Sequence, residues 1–167
     1  MKKIIVMLMM LAPMAAFAQK FGHCDTQAIL QSLPEISKVN GELEALGKQY
    51  QNDLEAMQNE INRKAEDYEK TKSTMNSTKQ QETEANIQQM IQKYQQAVND
   101  NQTAFNKAQQ EKMEPILKKI RTAIENVGKA GSYVYIMEGG AGQPIFINPA
   151  LSKDLTAEVK AELNKMK

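Results

Sequence analysis

One histidine, His23, and one cysteine, Cys24, stand side by side in this sequence of 167 residues. A lone histidine cannot supply the two imidazoles of a two-histidine metal site within one chain. A lone cysteine excludes both a Cys-x-x-Cys redox pair and an internal disulfide. Cys24 therefore reads as a small buried thiol, with an intersubunit disulfide as the alternative. Glu66 and Asp67 sit among Lys64, Glu69 and Lys70, the mixed signs of a solvated helix face rather than a working acid–base pair. The run Gly139-Gly140-Ala141-Gly142 is followed by neither Lys-Ser nor Lys-Thr and opens no helix, so it reads as a flexible turn rather than a phosphate loop. No catalytic residue, metal ligand or cofactor site is expected.

The chemistry that remains is that of contact. Met57, Met75, Met90 and Met113 are unbranched thioethers that conform to irregular partners. Met57, Met75 and Met113 fall in step with a helical seam. Met90 repeats with Ala97 and Ala104 every seven residues, a narrow second stripe that is either the candidate contact with a partner chain or a neighbouring arm, or the edge of a broad seam. Pro115, inside a long helical pattern, removes one backbone hydrogen bond and is the candidate hinge or kink.

These residues need long helices to position them. Ile36, Val39, Leu43 and Leu46 open a seam that continues through Tyr50, Leu54, Met57 and Ile61 to Met75, mostly at steps of three and four. Leu46, Tyr50 and Leu54 make two fours in a row, which relaxes the supercoil locally. After the polar patch Asn76–Glu82 the seam resumes at Ile87 and Ile91 and runs to Ile124 and Val127. The patch reads as a reversal with its tip near 76–80, Thr78 and Gln81 having the spacing of a reciprocal helix cap. The expectation is a hairpin of two similar helices over 36–127. A first helix of 40 residues, Ile36 to Met75, reaches about 60 Å at roughly 1.5 Å per residue. An uninterrupted rod is the alternative.

The remainder, 19–35 and 128–167, reads as a small β/α base. Lys20–Cys24 is one strand; Tyr133–Met137 and Pro144–Ile147 form an apparent β-hairpin across the glycine-rich turn. Asp25-Thr26 can cap a short helix through Leu33, with Pro34 ending it. Thr156 is the expected N-cap of a last helix carrying Val159 and Leu163.

Met1-Lys2-Lys3, the apolar run Ile4–Leu11 and Ala16-Phe17-Ala18 have the pattern of a secretory signal peptide over 1–18. No later segment is long and apolar enough to span a bilayer. Removing Lys2 and Lys3 takes the basic residues from 21 to 19 against 20 acids, a net −1 that disfavours nucleic acid as a partner.

Taken in order, Lys20-Phe21-Gly22 to Asp25, Ile29-Leu30, the long polar arms, Pro115-Ile116, Lys119-Ile120, Ala123-Ile124, Tyr133–Met137 and Asp154–Val159 resemble the Skp/OmpH periplasmic chaperones. The resemblance implies a mainly α fold: a long antiparallel coiled-coil hairpin on a small β-barrel trimerisation body. Phe21, Val134, Ile136, Ile145 and Ile147 are then the candidate residues of the trimer base. It also implies a homotrimeric, ATP-independent holdase of the periplasm that encloses unfolded outer-membrane proteins and prevents their aggregation. Peripheral membrane contact is left open. The strongly basic charge of the best-known members is absent here, which counts against capture by positive arms. The alternative function is a structural coiled-coil envelope protein or adaptor with a fixed partner.

Overall fold

The computed structural model describes residues 19–140, 144 and 146–166. The expected signal peptide, the middle of the glycine-rich turn and Ile145 lie outside the described residues. The fold is mainly helical with a small three-stranded sheet, in two units: one drawn from both ends of the chain, the other Leu33–Leu117.

In the first unit, β1 (Lys20–Cys24) is the central strand, between β2 (Tyr133–Glu138) and β3 (Ser152–Asp154). Both pairings are parallel, with Phe21 opposite Tyr135 and Ser152, and His23 opposite Met137 and Asp154. This overturns the expected hairpin. Among the described residues Pro144, Phe146 and Ile147 form no strand, and β2 pairs with β1 instead. The third strand is Ser152-Lys153-Asp154, three polar residues with no alternation to announce them.

Strand alternation turns Gly22 and Cys24 to the inner face and Phe21 and His23 to the outer one. Beneath the sheet, α1 (Thr26–Gln31) packs on α4 (Thr156–Lys165), burying Ile29, Leu155, Val159 and Leu163. A Cβ at Gly22 would lie 2.5 Å from Leu155 Cδ1, so a larger residue would force the buried Leu155 side chain to shift. Asp25 caps α1 as expected, accepting from the Ala28 N–H at 2.8 Å. Thr156 does not cap α4: Asp154 Oδ1 accepts from the Thr156 N–H, while the Thr156 hydroxyl accepts from the Asp25 N–H.

The second unit starts at Leu33, and Pro34 begins a helix instead of merely ending one. It occupies the first position of α2 (Pro34–Thr71), where its missing N–H would have had no helical partner. A short 3₁₀ turn, Lys72–Thr74, reverses the chain into α3 (Ser77–Gly131). The reversal is at 72–76, slightly before the expected tip. Asn76 rather than Thr78 does the capping, its side chain accepting from the Lys79 N–H at 2.8 Å. Gln80 braces the turn by donating to the Lys72 and Met75 carbonyls. The helices are unequal, 38 and 55 residues, and α3 runs through Pro115 to Gly131. There Ser132 takes the left-handed conformation, φ 55°, that glycine usually supplies after a helix.

Candidate functional site

Within Leu33–Leu117 the two long helices lie side by side and antiparallel. Glu42 pairs with Lys112, Phe105 lies beside Gly47, and Tyr68 donates its hydroxyl to Glu84. The apolar seam between them is not uniform. At one end Val39, Leu43 and Ile116 are buried; at the other, Ile61 and Tyr68 are only 7% and 6% exposed. Between these ends no seam residue is buried. Leu46, Tyr50, Leu54 and Met57 on α2 are half-buried, as are Met90, Tyr94 and Phe105 on α3, and Val98 is 39% exposed.

The result is an open groove of about 610 Å³ walled by Tyr50, Leu54, Tyr94, Val98 and Phe105. Gly47 forms part of its rim, and a Cβ there would stand 3.6 Å from Phe105 Cε2, an ordinary contact. A second opening of about 410 Å³ lies nearer the turn, between Met57, Ile61 and Met90. The spacing contributes to it. At about 100° per residue, two steps of four carry the seam roughly 80° round the helix, so Leu46, Tyr50 and Leu54 cannot all point at the partner.

The Tyr68 end is also closed by polar groups. The hydrogen bond to Glu84, burial and the neighbouring charges of Glu84 and Glu69 push the Tyr68 phenol up to about 12. Lys72 Nζ stands 5.2 Å from the Tyr68 ring centroid. The groove wall is nearly free of charge: its polar members are the amides Gln51, Gln58, Asn59, Asn101 and Gln102 and one acid, Glu55.

In the first unit, the Phe21 and Tyr135 rings stack at 6.2 Å and 9° on the outer sheet face. Tyr135 remains 64% exposed, and Val134 and Met137 are exposed beside it. Both β2 and β3 are edge strands. Ile136 turns toward α3, its Cδ1 3.2 Å from where a Gly128 Cβ would be. Ile147 is half-buried outside any strand, and Ile145 is outside the described residues. Cys24 is 2% exposed; burial first, then the charges of Glu138, Asp154 and Asp25, push its thiol up to about 11. It is a protonated core group at neutral pH, not a reactive thiolate. His23 Nδ1 and Ser152 Oγ, 3.0 Å apart, tie β1 to β3.

Of the contact residues expected from sequence, Met90 borders the second opening, and Ala97 and Ala104 are half-buried beside the main groove residues Val98 and Phe105. Pro115 is exposed. Sequence reasoning missed the groove and the Tyr135–Met137 face. The doubled step at Leu46, Tyr50 and Leu54 was a partial signal for the first, and the continuous apolar run of β2 carried none for which of its faces stays open. Among the described residues no cluster of His, Cys, Asp and Glu is placed to hold a metal, and no helix is long and apolar enough to cross a membrane.

The family profile described as Outer membrane protein (OmpH-like) matches residues 20–163. The chain belongs to the OmpH-like family. Among curated relatives it is 25% identical to Chaperone protein Skp of Yersinia enterocolitica over 142 residues, covering 85% of this chain and 84% of that one. It is 23% identical to Chaperone protein Skp of Pectobacterium atrosepticum over the same length and coverage. The crystal structure of an OmpH-like outer membrane chaperone from Caulobacter crescentus CB15 has the same fold, with a TM-score of 0.75 at 17% identity over 89% of this OmpH-like chain and 86% of the other.

Proposed function

We propose that this protein is an ATP-independent periplasmic holdase that keeps unfolded outer-membrane proteins from aggregating, and that it works as a homotrimer. The observation that carries this reading is the incomplete sheet. Three strands leave Tyr135 and Met137 exposed on the outer face, and both edge strands keep unpaired backbone groups. Pairing those edges with copies of the same chain closes the sheets into a small barrel, with Phe21 and Val134 among the contacts. Three antiparallel helix pairs then stand as coiled-coil arms around one space. Membership of the OmpH-like family and the likeness to proteins named Chaperone protein Skp support it. Residues 1–18 serve for export in this reading, and the activity is binding without catalysis, metal or cofactor.

The clients suit such a space. Strands of outer-membrane barrels alternate apolar and polar residues, so in the unfolded chain they expose edges that pair with one another. Walls of mixed charge separate one client from the next without a deep specific pocket. Two measurements test this. Light scattering of the purified protein should give the mass of three chains, and trimer at one or more equivalents should suppress the turbidity of a urea-denatured outer-membrane protein diluted into buffer. A monomer mass, or unchanged turbidity, contradicts the proposal.

A further inference from the structure

The open middle of the helix pair is a built feature with a restricted chemistry. We propose that it is a docking groove for an extended, uncharged segment of an unfolded chain, which seats one aromatic side chain between Tyr50, Leu54, Tyr94, Val98 and Phe105. This deepens the holdase reading and rests on it.

Three observations select the occupant. First, the walls present aromatic and aliphatic faces that are half-buried or exposed, whereas Leu43 and Ile61 in the same seam are buried. At about 610 Å³ the groove has room for a ring but is open along its length, which suits a side chain carried on an extended backbone. Second, the lining matches a neutral segment. Between Gln49 and Asn59 the only charges are Asp53 and Glu55, and between Gln88 and Asn106 only Lys93 and Asp100, although the arms elsewhere are densely charged. A charged side chain brought here would lose water without finding an opposite charge in place. Third, the groove is bordered by side-chain amides. Among the described residues Gln58 and Gln102 donate along their own helices, to Asn62 and Asn106, and each amide has further donor and acceptor capacity for a strand backbone passing between them. Aromatic residues on strands that alternate apolar and polar positions are a regular feature of outer-membrane barrels.

The protein contains no tryptophan, so a tryptophan in a probe reports alone. The probe is a capped, uncharged peptide of alternating Thr and Val with one central Trp, titrated into the purified protein while Trp emission is followed. Saturable binding with a blue shift is expected. Gly47→Leu places a branched side chain at the groove rim and should weaken the peptide at least tenfold. Gly41→Leu, at a helix glycine with nothing within 4 Å of a Cβ, should leave binding unchanged. Circular dichroism should show both variants at least as helical as the parent. Peptides with Ser or Lys in place of Trp, added as competitors, should displace the Trp peptide with an affinity at least tenfold weaker than its own. Equal binding by both glycine variants, or tighter binding of the Lys peptide, overturns the groove. The same variants are compared in the turbidity assay. If Gly47→Leu still suppresses aggregation fully, the groove is not the client site although the holdase reading stands. If the parent protein fails to suppress it, the holdase reading itself fails.

Discussion

The ends and the middle of the helix pair both carry an apolar seam, yet the ends are closed and the middle is open. Ile36, Val39, Leu43 and Leu46 keep the three–four alternation, and so do Leu54, Met57 and Ile61 and the step from Ala65 to Tyr68. The alternation breaks twice, at Leu46, Tyr50 and Leu54 and again at Met57, Ile61 and Ala65, each a pair of fours. Step order alone does not set the difference, since Ile61 sits inside the second doubled step and is buried; the middle differs in carrying the rings of Tyr50, Tyr94 and Phe105, which are only half-buried. The contrast teaches that an apolar pattern establishes that two helices pair, whereas how tightly they close depends on which side chains meet across the seam.

Breaking the comparison at a closed point should have the largest effect. Ile61→Ala removes buried methylenes and should cost about 2–4 kcal/mol, while Leu54→Ala, in the open middle, should cost only about 1 kcal/mol. Urea titrations of the two variants measure the difference, and equal costs would mean that the middle is closed in solution. Glycine substitutions sharpen the same contrast. Gly41 meets nothing and Gly47 has room beside Phe105, so Gly41→Ala and Gly47→Ala should each gain about 0.8–1 kcal/mol from helix propensity alone. Thermal melts check the gain; a loss at Gly47 would show that Phe105 packs against the backbone there.

Charge gives a smaller effect. Between Ile36 and Val127 there are 13 basic and 14 acidic residues. With a screening length of roughly 8 Å at 0.15 M salt, arms of balanced sign exert little long-range pull. Client affinity should change less than about threefold from 50 to 500 mM salt, about 0.7 kcal/mol. A titration followed by fluorescence measures it, and a tenfold drop would point to local clusters such as Lys118, Lys119 and Arg121. The smallest effect at neutral pH, and the most local, concerns the closed end at Tyr68. Its pKa is raised to about 12 in the folded state from the ordinary value near 10, so the stability it adds is whole below about pH 10 and is lost as pH rises through about 12. Loss of helicity over that window should be smaller in Tyr68→Phe, which has no phenolic proton to lose.

Much of this was legible in sequence. The seam, the reversal after Met75 and strand β2 announce themselves through apolar period and β-branched or aromatic runs, and Asp25 through its position before a helix. Strand β3 was not legible, because Ser152-Lys153-Asp154 owes its extended form to pairing with β1 rather than to its own composition. Pro144–Ile147 misled for the opposite reason: it has strand residues but no strand partner among the described residues. Thr78 and Thr156 had cap-like spacing, but Asn76 and Asp154 held the nearer carboxamide and carboxylate. Of the groove, the sequence carried the doubled step of four. That Tyr94, Val98 and Phe105 stand opposite it depends on the register between helices, which no local pattern records.

The most direct test of the open middle as the client-holding region is hydroxyl-radical footprinting of the purified protein, read residue by residue by mass spectrometry, with and without an unfolded outer-membrane protein. In the free protein Tyr50, Tyr94 and Phe105 should be modified several times faster than Tyr68, which is buried and bonded to Glu84. Client should slow modification of the first three strongly and leave Tyr68 unchanged. Equal rates at Tyr50, Tyr94 and Tyr68 in the free protein, or client protection confined to residues outside the groove, would contradict the account.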